Sequence, residues 1–242
     1  MGIYCHVMDC QVSLSRAYWG QSGWSLVVGK LTAHEIVYRR IREMILFGEL
    51  APGQAVTIQG LVLQLDCGTT PVREAIRHLT AEGALILKGN RRIAVPKLSP
   101  SELDELSFAR LKIEPHLAKL AASNSSEGDV RLLEEVDRRL EEAIEQGDIR
   151  AYLEQNYRFH HGLYGLSAAP ILISIAEGLW LRAGPSLRVV CGRIGTANLP
   201  DRHGEALAAM RAGNVKAVAR AIKDDIRQGY ELVRESLEQQ VI

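Results

Sequence analysis

The sequence predicts a mainly α-helical chain in two parts: a small N-terminal unit of three helices closed by one β-hairpin, and a C-terminal all-helical antiparallel bundle. Three observations carry this prediction. Apolar residues recur at helical spacing, with capping residues at the starts and glycine or proline at the ends. Two β-type runs flank Gly89-Asn90, a pair suited to a tight hairpin turn. "PKLSP" at 96–100 has two prolines and little apolar content, and about 140 residues without strand alternation follow it.

The elements follow in order. Residues 1–29 show no clear period and carry Gly2, Gly20, Gly23, Gly29, Trp19 and Trp24, which reads as a loosely ordered extension. In the first unit, 30–96, "TAHE" makes a capping box of Thr32 and Glu35. Ile36, Val37, Ile41, Met44 and Ile45 then form a stripe that Gly48 ends, and Pro52-Gly53 makes a turn. A short helix holds Leu61, Val62 and Leu65 until "DCG" breaks it. Thr70 is expected to cap a third helix with Pro71 at its first position; Ala75, Ile76 and Leu79 face inward and Gly83 closes it. Helix, helix, turn, helix, hairpin is the order of a winged helix-turn-helix. Residues 97–100 form a linker, and Ser101 is expected to cap the second domain, 101–242. Its helices are predicted near 101–123, 128–146, 149–167, 170–190, 201–212 and 214–238.

Composition narrows the class. Of 242 residues 47% are hydrophobic and 24% charged, values ordinary for a soluble globular protein. No run of about 18 apolar residues offers a membrane span, and the start lacks a secretory signal. Cys5, Cys10, Cys67 and Cys191 form no paired framework, which points to a reducing cytoplasm. The formal net charge of zero hides an asymmetry. Residues 30–98 hold ten Lys/Arg and six Asp/Glu, and 99–242 hold eighteen and twenty-two. The basic half is the one with the winged pattern, which points to nucleic acid as its partner.

Arg73 and Arg77 are four apart, so they share a face of the third helix, away from Ala75, Ile76 and Leu79. Thr69 and Thr70 stand at its N-terminus, where hydroxyls and unpaired N–H groups can meet phosphate. A helix with apolar residues behind and donors in front can enter the major groove of double-stranded DNA N-terminal end first. Arg73 is then the base reader, through guanine O6 and N7. Arg77, Lys88, Arg91 and Arg92 are phosphate or wing contacts, with Asn90 at the wing tip. The alternative reading is a solvated helix beside a structural hairpin.

"VYRRIREMILFGELAPGQ", "TTPVREAIRHLTAEGAL" and "GNRR" resemble the N-terminal domain of the GntR family of bacterial transcription regulators. "ELSFARLKIEPHLAKLAA", "YRFHHGLYGLSAAPIL" and "RHGEALAAMRAGN" resemble the FadR-type effector domain of that family, called FCD. The resemblance implies an effector-responsive, sequence-specific homodimer, a repressor on an inverted-repeat operator. Arg73 and Thr70 match the family pattern. Gly68-Thr69 stands where Ser-Arg is usual, Gln59 where an Arg is common, and Arg92 where the wing usually has glycine. These departures imply an operator of its own rather than loss of binding.

The resemblance also implies a metal site. Metal-binding members of this domain type carry Asp, His, His and His where this chain has Asn156, His160, His203 and Asp225. Two imidazoles and a carboxylate suffice for a divalent ion such as zinc or nickel. The alternative has His160 and His203 as satisfied polar groups, with Asn156 and Asp225 as their hydrogen-bond partners. His161, adjacent to His160, is expected at the surface. A small-molecule pocket is expected nearby, from Arg110 and Glu114, four apart, and from Arg182 and Arg188 flanking "AGPS". Inward arginines suit a small carboxylate effector.

A second function class is a metal-dependent enzyme, or a metal-sensing helical protein, built on the His160/His203 cavity. The sequence has no HExxH motif, no glycine-rich phosphate loop and no nucleophile elbow, so a regulator rather than an enzyme is expected.

Overall fold

A computed structural model of the chain describes residues 18–20, 23–25, 32–89, 92–194 and 200–239. Ahead of the first helix, β1 (Tyr18–Gly20) and β2 (Gly23–Ser25) pair antiparallel, where the sequence showed no period. The N-terminal unit is α1 (Ala33–Leu46), β3 (Ala55–Val56), α2 (Ile58–Leu65), α3 (Thr69–Ala81), β4 (Ile86–Lys88) and β5 (Arg92–Ala94). The strands form an antiparallel sheet in the order β3-β5-β4, with Leu87 opposite Ile93 and Val56 on the far side of Ile93. The hairpin is as expected; the two-residue β3 that widens it is not, being too short to show alternation.

The capping box at Thr32 is present. Two other caps lie elsewhere than expected. Gly68, not Thr70, caps α3, which puts Pro71 at the third helical position. That position also lacks an intrahelical partner for its N–H, so proline fits it as well as the first. Ser99, not Ser101, caps α4 (Pro100–Asn124): its Oγ accepts from Glu102 N at 3.2 Å, and Glu102 Oε2 accepts from Ser99 N at 2.8 Å. α4 therefore begins earlier than expected.

The bundle continues with α5 (Glu127–Glu145), α6 (Ile149–Gly165), α7 (Pro170–Ile194), α8 (Arg202–Arg211) and α9 (Val215–Glu238). Among the described residues the predicted breaks hold, and α7 runs past residue 190; residues 195–199 of the break that follows it lie outside them. Its core gathers Leu103, Leu117, Leu133, Phe159, Leu163, Val218 and Ile222, all buried. Among the described residues no helix is long and apolar enough to cross a membrane.

The first unit does not stand apart. Its core, with Ile41, Met44, Ile45, Val72, Ile76 and Leu79, also takes in Leu153, Trp180 and Leu181 of the bundle. α7 meets the end of α1 backbone to backbone: a Cβ on Gly184 would lie 2.6 Å from the Leu46 carbonyl oxygen. Polar contacts ring this joint. Glu49 accepts from Arg40 at 2.9–3.0 Å and also from Arg150. Both terminal nitrogens of Arg42 donate to the Tyr157 hydroxyl at 3.2 Å.

Candidate functional site

Two places on this fold carry polar groups that packing does not require. The first is the outer face of α3. Val72, Ala75, Ile76 and Leu79 are buried, while Thr69, Thr70, Arg73 and Arg77 are exposed. Arg77 donates to Glu74 at 3.0–3.1 Å, whereas Arg73 has no ion-pair partner among the described residues. The Gly68 cap offers no side chain to the first-turn N–H groups. Those donors, the two threonine hydroxyls and Arg73 all stand at one open helix end, the arrangement a phosphate and a base edge require. Arg92 is exposed on β5 and Lys88 on β4, so the wing adds positive charge. Asn90 and Arg91 lie outside the described residues.

The second place is inside the bundle. His160 comes from α6, His203 from the first turn of α8 and Asp225 from α9. The His160 and His203 Nε2 atoms are 3.3 Å apart, and His160 Nε2 is 3.1 Å from Asp225 Oδ2. One ligand atom from each of the three lies within 4.8 Å of the others. Asn156, one turn before His160, lines the adjoining cavity.

The surroundings fix the rings. The Tyr164 hydroxyl donates to Glu114 Oε2 at 2.6 Å, which leaves its oxygen to accept from His160 Nδ1 at 2.9 Å. The Asp137 carboxylate faces His203 Nδ1 at 3.1 Å, and an ionised carboxylate only accepts. Both imidazoles therefore carry a proton on Nδ1 and turn Nε2 inward. Two nitrogen lone pairs and a carboxylate oxygen converge, which requires a proton or a cation between them. Burial lowers the His160 pKa despite the opposing pull of Asp225. Burial acts the same way on His203, but there Asp137 and Asp225 outweigh it and the net shift is upward. Burial works to raise Asp225, and the two histidines outweigh it and hold it down.

A metal ion fits this donor set. Two nitrogens bound at about 2.0–2.1 Å to one tetrahedral ion lie about 3.3–3.4 Å apart, and the two Nε2 atoms are 3.3 Å apart. The hydrogen bonds at both Nδ1 atoms are the outer contacts that orient metal-binding histidines.

Beside the histidines lies a buried ion pair. Arg110 and Glu114, 3% and 0% exposed, bond through Arg110 Nε to Glu114 Oε1 and through Nη2 to Oε2 at 3.0 Å. Glu114 Oε2 also accepts from Tyr164, and from Trp180 Nε1 at 2.9 Å. Arg110 lies 4.3 Å from the Trp180 ring centre and lines a cavity of about 60 Å³ with Asn156, Trp180, Asp225 and Tyr230. That is enough for ordered water or the end of a small ligand; of His160, His203 and Asp225, only Asp225 lines it.

Four of the expected pocket and metal residues thus meet here with Asn156 and Glu114, and two expectations fail. Arg182 is exposed and donates from Nε to the Glu82 carbonyl at 3.2 Å, next to α3. It is two residues, about 200° of helix, from Trp180, and so points away from the cavity. His161 is not a surface residue. It stacks on Tyr157 with centroids 4.0 Å apart, lies 5.8 Å from Trp180, and its Nε2 is buried without a partner. Burial pushes its pKa well down. The Arg188 side chain lies outside the described residues. Sequence reasoning missed Asp137, Tyr164, Trp180 and Tyr230. Tyr164 had a signal, standing one turn after His160 on the same face; Asp137 had none.

Known proteins resemble the whole arrangement. Residues 33–95 match the description "Bacterial regulatory proteins, gntR family", and residues 105–228 match "FCD domain". The chain is 29% identical over 196 residues to the HTH-type transcriptional regulator McbR of Escherichia coli K12, covering 80% of this chain and 89% of that one. It is 24% identical over 200 residues to the HTH-type transcriptional repressor RspR of the same organism, covering 82% and 88%. The solved structure titled E. coli McbR/YncC superposes with a TM-score of 0.81 at 27% identity, covering 86% of this chain and all of that one. A GntR regulator from Rhodococcus superposes with a TM-score of 0.68 at 19% identity and shares the fold. These relatives are regulators of transcription, not enzymes. With a DNA-binding winged helix-turn-helix and an effector domain that alone spans half its length, the chain belongs to the GntR family of bacterial transcription regulators, in its FCD-bearing branch.

Proposed function

We propose that the chain is a cytoplasmic repressor that binds an inverted-repeat operator as a homodimer and leaves it when a small organic acid enters the bundle. One observation carries this reading: two imidazole Nε2 atoms and a carboxylate oxygen converge, and that carboxylate's residue, Asp225, shares a cavity lining with the buried Arg110. His160, His203 and Asp225 would hold a divalent ion such as zinc, with the Asn156 amide oxygen at hand. When bound, the ion supplies positive charge next to Arg110, which suits a carboxylate. Arg110 orients the acid through its planar fork, and Trp180 and Tyr230 keep water from its other faces.

Thr69, Thr70 and Arg73 would meet one half-site and their copies in a second chain the other. Ile171 and Ile175, 77% and 45% exposed and four apart on α7, are an apolar stripe that supports such pairing. Metal analysis tests the site. Chain dialysed against zinc and then buffer should retain about one ion, and the His160→Ala/His203→Ala variant none. Equal metal content in the two proteins would contradict the assignment.

A further inference from the structure

We propose that Trp180 carries the state of the buried pocket to the DNA-binding unit, an inference that rests on reading that pocket as the effector site. The indole is 4% exposed and belongs to both halves of the molecule. Its Nε1 donates to Glu114 Oε2, and its ring lies 4.3 Å from the Arg110 guanidinium carbon and 5.0 Å from the His160 ring. The rest of it is packed in the core of the first unit with α1 and α3 residues. Its edge meets Tyr157 with centroids 5.7 Å apart. Tyr157 in turn accepts from Arg42 of α1 and packs 6.0 Å from Phe47 at the end of that helix. α1 lies against α3, the helix that carries Arg73.

Competition at one atom links the pocket to this path. Glu114 Oε2 collects hydrogen bonds from Arg110, Tyr164 and Trp180. An anion on Arg110 draws one donor away, and a cation on His160 Nε2 strengthens the Nδ1–H bond to the Tyr164 oxygen and so the Tyr164 bond to Glu114. Either event alters the acceptor that holds the indole N–H. A rigid ring in a close-packed core cannot absorb that change at one end alone. The connecting segment offers a poorer route: Val95 is buried in the first core and Leu98 packs on the second, so the segment is anchored at both ends. A further inter-unit contact on α7, Arg182 to the Glu82 carbonyl, does not reach the pocket.

Hydrogen–deuterium exchange of the full chain with and without zinc tests the relay. In the native protein zinc should slow exchange in α8 and α9, beside the ligands, and at least threefold in α1. Trp180→Phe keeps a ring in the core but removes the N–H. It should retain the α8 and α9 response and lose most of the α1 response. Tyr157→Phe, which deletes the Arg42 contact, should do the same, and Arg182→Ala should leave both responses intact. An α1 response equal to the native one in both Trp180→Phe and Tyr157→Phe overturns the relay, as does a native protein that responds in α8 and α9 but not in α1. A native protein that responds in neither region overturns the reading of the pocket and the relay with it.

Discussion

Replacing Glu114 with glutamine deletes one charge at the point where the pocket is most tightly wired. Glu114 is fully buried and is bonded by Arg110, Tyr164 and Trp180. The amide offers one oxygen and turns an NH2 toward groups that are themselves donors. Arg110, 3% exposed, keeps its charge but loses the carboxylate it is bonded to. Breaking a buried ion pair from one side costs about 3–5 kcal/mol. In a protein of this size that lowers the melting temperature by about 6–20 °C. The double variant Arg110→Met/Glu114→Leu removes both charges and so avoids the unpaired guanidinium. It still leaves the Tyr164 and Trp180 donors without an acceptor, each costing about 1–3 kcal/mol. Urea unfolding followed by far-ultraviolet circular dichroism measures both variants. A loss below about 1 kcal/mol for Glu114→Gln would refute this account of the network.

Three other outcomes are expected. Arg73→Ala should weaken binding to a selected operator by about 1–3 kcal/mol, read by gel shift, and relax the preference at one base pair; unchanged specific binding would remove Arg73 as the base reader. Gly184→Ala forces a methyl to 2.6 Å from the Leu46 carbonyl and should cost about 1–3 kcal/mol on thermal melting. Gly178→Ala in the same helix meets nothing within 4 Å and should be neutral or stabilising by up to about 1 kcal/mol. Ser99→Ala should cost about 1 kcal/mol at neutral pH. The Ser99 hydroxyl and N–H hold the Glu102 pKa below its usual value. A depressed carboxylate stabilises the fold above its unfolded pKa of about 4.3 and loses that contribution as pH falls through its folded value. The difference between native and Ser99→Ala proteins should therefore shrink below about pH 4 and not at alkaline pH.

What the sequence revealed follows the range of the forces involved. Helix starts and stops depend on neighbours within four residues, so the Thr32 box, Gly83 and the break at 212–214 could be read directly. The cap of α3 was misplaced because Gly68, Thr69 and Thr70 are all permitted caps and Pro71 fits anywhere in the first turn. For α4 the Ser99–Glu102 box was in the sequence, and Ser101 competed with it. On the site, the family resemblance singled out Asn156 with His160 and Arg110 with Glu114, and one-turn spacing put each pair on one helix face. Asp137 is 66 residues from the histidine it orients, and only packing of α5 against α8 brings them together. The same limit explains Arg182 and His161. Which way each points depends on the first unit docking on α7, and no local pattern encodes that contact.

The central claim is that occupancy of the pocket around Arg110 and the two histidines governs DNA binding. Fluorescence anisotropy of a labelled duplex selected from a random pool measures this directly, with zinc-loaded protein titrated in the presence of two- to six-carbon carboxylates. Coupling between distinct sites is typically about 1–3 kcal/mol. At least one acid should therefore weaken DNA affinity about 5- to 150-fold, and the His160→Ala/His203→Ala variant should not respond. An affinity that no carboxylate changes, or a response that survives in the double variant, would contradict it.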